Sequence, residues 1–223
     1  MKTAPTIPLF NALSSHYDRM NRFISLGCDH KVRQVLISKL GSLEGVDALD
    51  VATGTGDLAI LLAKEGARVR GEDLSEQMLA LAREKNDLSH LDIHFHLGDA
   101  SRPIGEWDVI TIGWGLRNIP DVGGTIKRHS EALKQGGVWG CLDLAQPENI
   151  VLRFLLRIWL ALLPVLARLK GAPPDSYLYL GKSIQSFPRL SALSSAMERA
   201  GLEVLHAQPL FLPGLILLVG KKR

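Results

Sequence analysis

The sequence is short of cysteine, of excess charge and of long uncharged apolar runs, and each shortage closes off a class of protein. Cys28 and Cys141 are its only cysteines in 223 residues. Two cysteines make neither a disulfide framework nor a spaced set of metal thiolates, and they fit reduced thiols in a cytoplasmic protein. No metal is expected. The net charge is only +3, too mild a field to hold nucleic acid. The greasiest stretch, IVLRFLLRIWLALLPVLARLK (150–170), keeps only ten uncharged residues between Arg157 and Arg168. As a helix those ten reach about 15 Å, half a bilayer core. The first thirty residues lack a basic start followed by an unbroken apolar run, so no signal peptide is expected. Internal repeats and low-complexity tracts are missing too.

What is present is a chain that is 46% hydrophobic and 22% charged. That suits a single domain over 1–223 with a full core. Between Val46 and Ala145, short apolar runs alternate with helical stretches. VDALDVA (46–52), ARVRGED (67–73), DIHFHLGD (92–99), DVITIG (108–113) and VWGCLDLA (138–145) read as strands. DLAILLAKEG (57–66), SEQMLALAREKN (75–86) and GGTIKRHSEALKQGG (123–137) read as helices, the last one ended by its two glycines. This alternation predicts a doubly wound α/β sheet. GLEVLHAQPL (201–210) and LILLVGKK (215–222) are joined by a short Pro-Gly turn, so they should pair antiparallel. The expected organisation is an N-terminal helical cap (1–45), a core (46–147), a hydrophobic lid insertion (148–190), and a C-terminal helix with hairpin (191–223).

LDVATGTGD (49–57) sets Gly54 and Gly56 straight after a strand and before a helix. Glycines there let backbone N–H groups approach a ligand at a helix N-terminus. The spacing is not the dinucleotide G-x-G-x-x-G, since Ala59 stands three after Gly56. Asp50 lies inside the end of the first strand. Asp73 ends the second, where a carboxylate can accept from both ribose hydroxyls. Glu72 should turn to the other face. Asp99, in GDA (98–100), ends the third strand within reach of an adenine amino group. An acid, a loop and two more acids at three successive strand ends point to an adenosine ligand. Asp50 suits a ligand with a cationic amino group. That favours S-adenosylmethionine (SAM) over NAD.

VITIGWGLRNI (109–119) poses a sharper question. An apolar run ends in a Trp between two glycines, followed at once by Arg117 and Asn118. A guanidinium just past a buried strand needs a partner or a task. Arg117 could pair with Asp121 or cap a helix. Trp114 could stack on a ring or simply pack.

Several segments taken together resemble one family. They are YDRMNRFISLG (17–27), DVATGTGD (50–57), GEDLSEQML (71–79), GLRNIPD (115–121), LKQGG (133–137) and YLYLGKSIQSFP (177–188). The chain is similar over almost its whole length to the C-methyltransferases of ubiquinone and menaquinone biosynthesis. The resemblance implies a class I SAM-dependent methyltransferase, a Rossmann-like seven-stranded sheet with its last strand antiparallel. It implies cofactor contacts from Thr55, Asp73, Asp99, Ala100 and Gly113, to which the loop and strand-end reading adds Asp50, Thr53, Gly54 and Gly56. Asp143 stands where the family usually has Glu, and Val32 where it usually has Trp.

The implied reaction moves a methyl group to a ring carbon of a polyprenylated quinol, with demethylmenaquinol preferred and the benzoquinol precursor of ubiquinone as its rival. The carbon becomes nucleophilic when the adjacent phenol loses its proton. A phenol has a pKa of about 10 by analogy with Tyr, so a fixed cation must stabilise the phenolate. Arg117 is the candidate cation; it stays protonated and is no proton acceptor. Asn118 could orient water or the ring oxygen. Tyr17, from the cap, could close over the site and exclude water. Two other readings are carried: methylation of another small phenol, and a SAM-binding scaffold without turnover. A scaffold has no need of the Arg117-Asn118 pair.

The insertion reads as a lid with a greasy groove for a prenyl tail. Six Lys or Arg over 150–190 face a single acid, Asp175. Apolar plus basic suits peripheral contact with an anionic membrane surface through 150–170. Leu155, Trp159 and Leu163 are the candidate contacts. A homodimer stays open.

Overall fold

The computed structural model describes residues 27–87, 91–169 and 175–223, with side chains left out for 165–169 and 175–177. Tyr17 and most of the expected cap lie outside the described residues. The elements, in chain order, are α1 (Asp29–Ile37), β1 (Asp47–Val51), α2 (Asp57–Lys64), β2 (Arg68–Asp73), α3 (Glu76–Asp87), β3 (Ile93–Leu97), β4 (Trp107–Gly113), a 3-10 turn (Leu116–Asn118), α4 (Val122–Ala132), β5 (Leu133–Leu144), α5 (Ile150–Leu169), α6 (Asp175–Ser186), α7 (Leu190–Arg199), β6 (Leu202–Pro209) and β7 (Leu215–Lys222).

The seven strands form one sheet in the order β3-β2-β1-β4-β5-β7-β6. Strands β1 to β5 pair in parallel, and β7 runs antiparallel to both of its neighbours. The strand order reverses between β1 and β4, which places a ligand crevice at their carboxyl ends. The central strands are apolar because both faces are covered: Leu49, Val51, Ile110 and Ile112 are all fully buried. One face packs α1, α2 and α3 through Leu36, Leu62 and Leu79. The other packs α4 and α7 through Ile126, Leu193 and Met197 around Trp139. A third, smaller core joins α5 to α6 through Leu156, Leu163, Leu180 and Ile184.

Two expectations are corrected. The helix placed over 123–137 ends at Ala132, and its two glycines belong to β5. There β5 advances five positions, Leu133 to Val138, while β4 advances two, Trp107 to Val109. Gly136 absorbs this bulge with φ +75°, and a Cβ on Gly137 would meet the Lys134 carbonyl at 2.8 Å. The second correction concerns the lid. Leu163 is 0% exposed and faces α6, whereas Phe154 is 62% exposed. The outward stripe of α5 is Val151, Phe154, Leu155, Ile158 and Leu162, at spacings of three and four. Trp159 is half-buried against the small core. No helix among the described residues is long and apolar enough to cross a membrane.

Candidate active site

The cofactor end is built from hydrogen bonds made within the chain. The loop after β1 alternates in and out of left-handed backbone, at Ala52 (φ +51°), Gly54 (+57°) and Gly56 (+82°). Phe95 of β3 props it from below: a Cβ would meet that ring at 3.0 Å from Gly56 and at 2.6 Å from Gly71. Asp50 is buried beneath. One of its oxygens accepts from Thr53 Oγ1 (2.6 Å) and the other from Thr111 Oγ1 (2.7 Å). Burial pushes the Asp50 carboxyl up to about 6, against the pull of the two hydroxyls. Asp73 joins loop to strand end, because its Oδ2 accepts from the Gly54 N–H and its Oδ1 from the Ser75 N–H, both at 2.9 Å. Burial raises its pKa as well.

Glu72, on the opposite face, pairs with Arg70 at 2.7 Å. Thr55 turns to Lys85, whose Nζ donates to its Oγ1 (2.9 Å) and to Asp57 (2.8 Å). Arg33, nearly buried, bridges Asp29 (3.1 Å) and Asp57 (3.3 Å), tying α1 to α2. Sequence reasoning assigned no part to Arg33 or Lys85, because two cations on separate helices carry no local pattern.

Beyond β3, exposed Asp99 accepts from the Ser101 N–H (2.9 Å) and hydroxyl (2.8 Å). Ala100 is held from behind by His129, whose Nε2 lies 2.6 Å from the Ala100 carbonyl. Trp139 Nε1 donates to His129 Nδ1 at 2.9 Å, so the ring proton sits on Nε2. Burial lowers the His129 pKa to about 4 and keeps this neutral tautomer in place. Among the described residues no group of three His, Cys, Asp or Glu could hold a metal.

Past β4 the character changes. Trp114 continues the ladder, with its N–H on the Leu142 carbonyl (2.8 Å), but its backbone is left-handed at φ +62°. A bulky residue there is strained by about 1–3 kcal/mol. The turn that follows carries Arg117. Its Nη1 donates to Asp143 Oδ1 and to the Trp114 carbonyl, each at 2.6 Å, and its own N–H donates to Asp143 Oδ2 (3.0 Å). The partner is therefore Asp143 on β5, not Asp121. Asp121 instead caps α4 through the Gly124 N–H and pairs with Arg128. The Asp143 side chain is 0% exposed and that of Arg117 only 10%. Asn118 lies alongside; its Oδ1 accepts from the Tyr179 hydroxyl of α6 at 3.1 Å. Burial raises the pKa of that hydroxyl.

Asp143 and Tyr179 were not among the expected site residues. One signal was available: an acid set in the otherwise apolar run CLDLA (141–145).

Arg117 and Trp114 border a cavity of about 260 Å³. Its other walls are mainly apolar side chains of α5, α6 and the turn before β7, among them Leu156, Trp159, Leu163, Ile184 and Leu212. A polar, internally bonded cleft at β1–β3 thus adjoins a greasy chamber with one fixed cation at its edge.

The comparisons agree with this fold. The ubiE/COQ5 methyltransferase family model matches residues 2–215. The chain is 37% identical to the demethylmenaquinone methyltransferase of Lactobacillus johnsonii, over 86% of this chain and 82% of that one. It is 35% identical to that of Chlorobaculum parvum, over 96% and 91%. Among solved structures, magnesium protoporphyrin IX methyltransferase from Synechocystis PCC 6803 with bound SAH superposes with a TM-score of 0.70 at 20% identity, covering 98% of each chain. A Haloferax volcanii putative methyltransferase–activator complex gives 0.68 at 18%, covering 95% and 96%. Likeness at that identity speaks for the fold. By its fold and by the match along nearly all of its length, the chain belongs to the ubiE/COQ5 methyltransferase family.

Proposed function

We propose that this protein transfers a methyl group from SAM to a ring carbon of a polyprenylated quinol, demethylmenaquinol. The observation that carries the reading is Arg117, a buried cation clamped by Asp143 at the rim of an apolar chamber. The names of the curated relatives support the choice of quinol.

The cleft at β1–β3 fits the cofactor. Its left-handed loop aims backbone at a ligand, Asp73 keeps lone pairs for a ribose, and Asp50 offers charge to an amino group. Asp99, Ala100 and Gly113 complete the strand ends. SAM, when bound, supplies a methyl group on a sulfonium, with the sulfur keeping the bond's electron pair.

The chain's own residues prepare the other reactant. Arg117 stabilises the quinol as its phenolate, which places electron density on the adjacent ring carbon. A preorganised donor of this kind is worth roughly 3–4 kcal/mol. Asp143 holds the guanidinium at a fixed place, so no reorganisation is needed when charge develops. Asn118, steadied by Tyr179, is set to orient the ring oxygen or a water that takes the phenol proton. The proton on the methylated carbon then leaves and restores the aromatic ring. Apolar walls exclude bulk water and suit a prenyl tail. Tyr17 is proposed to close the site from the N-terminal side.

The outward stripe of α5, with Arg157 exposed beside it, is proposed to rest on an anionic lipid surface where such a tail resides. Incubation with methyl-labelled SAM and reduced demethylated quinols tests the reading. Label is expected in demethylmenaquinol. No product from any naphthoquinol or benzoquinol, with SAM binding intact, would overturn it.

A further inference from the structure

The indole N–H of Trp114 has no part in the methyl transfer proposed above. Trp114 lines the same cavity as Arg117. Its Nε1 is buried and, among the described residues, lacks a hydrogen-bond partner; Arg117 Nε shares that condition. Other donors do have partners. Arg117 Nη1 is taken by Asp143 and the Trp114 carbonyl, the Tyr179 hydroxyl by Asn118, and the equally buried indole of Trp139 by His129.

A buried N–H left unmade costs free energy, and buried Trp tips normally find a partner. Phe would fill the space with no such cost. The same residue also holds strained left-handed backbone at φ +62°. Strain and an unspent donor coincide on an aromatic residue whose carbonyl accepts from the proposed catalytic cation. Outliers of this kind cluster where a ligand completes the structure.

We infer that the Trp114 Nε1–H donates a hydrogen bond to a ring oxygen of the aromatic substrate, orienting the ring and favouring oxygenated rings over bare hydrocarbons. This rests on the quinol reading above. No bond is made or broken by Trp114; its effect is on binding and pose.

Trp114→Phe keeps the ring and removes the N–H. The expected result is a loss of about tenfold in kcat/KM for demethylmenaquinol, the scale of one neutral hydrogen bond. Cofactor Kd should stay unchanged, and Tm should hold or rise because an unpaired polar group is gone. In the wild-type protein the Trp114 indole ¹H–¹⁵N resonance should shift downfield with 1,4-dihydroxynaphthalene and stay put with naphthalene. The resonance is assigned by its loss in Trp114→Phe. Should that variant fail to fold, Trp107→Phe, Trp139→Phe and Trp159→Phe assign it by elimination. An unchanged kcat/KM, or equal shifts with both rings, overturns the inference while quinol methylation by the wild-type protein leaves the function standing. A wild-type protein that binds SAM but neither binds nor methylates quinols removes both.

Discussion

The two ends of the crevice spend their hydrogen bonds differently. At β1–β3 the strand-end carboxylates are satisfied from within: both oxygens of Asp50 and both of Asp73 accept from the protein. At β4–β5, among the described residues, Trp114 Nε1 and Arg117 Nε are buried donors that stay unspent beside an apolar chamber. The first arrangement makes a loop that is rigid before any ligand arrives. The second leaves bonds to be completed by what enters. A cofactor site common to many reactions can be prebuilt, whereas the selective half must be finished by its own substrate.

The largest way to break this contrast is at Asp143. Asp143→Asn leaves the Arg117 charge buried without its counter-ion, and breaking such a pair costs about 3–5 kcal/mol. Urea denaturation should show that loss. Stability within about 1 kcal/mol of wild type would mean that Arg117 is better hydrated than its 10% exposure implies. Next comes Arg117→Lys, which keeps the charge and loses the planar fork. A fall in kcat of about 10² to 10³ is expected, with SAM affinity nearly kept. A full-rate variant removes Arg117 from the mechanism.

Asp50 sharpens the other half. Its folded pKa of about 6 lies above the ordinary carboxylate value, so its contribution to stability is whole below about pH 4 and is lost as pH rises through 6. Asp50→Asn escapes that loss. The variant should match wild type near pH 4 and gain on it by pH 7, by an amount on the order of 3 kcal/mol. It should also bind SAM more weakly. Parallel pH–stability curves for the two proteins would show that Asp50 is not desolvated. The smallest effect concerns the lid. The protein should float with anionic liposomes, and Phe154→Ser, Ile158→Ser and Leu162→Ser together should weaken that severalfold. Unchanged flotation sinks the membrane proposal.

Strand positions were legible because burial on two faces writes near-continuous apolar runs, as in β1 and β4. The closing hairpin was legible through its Pro-Gly turn. The Gly136-Gly137 pair misled because the freedom at positive φ that Gly136 uses serves a helix stop and a strand bulge alike. Arg117's partner was hidden by distance. Asp121 is four residues away in sequence, whereas Asp143 arrives only when β5 pairs with β4. The direction of Trp114 could not be read either, since φ +62° breaks the alternation a strand end would suggest. Leu163 turned inward because α6 covers that face, a tertiary fact that apolar periodicity alone does not specify.

The central claim is that the quinol is attacked as a phenolate beside Arg117. It is tested most directly by offering the wild-type protein methyl-labelled SAM with demethylmenaquinol or with the same compound bearing both ring oxygens as methyl ethers. Label is predicted in the ring of the free quinol and none in the diether. Equal labelling of the two rings would contradict the account.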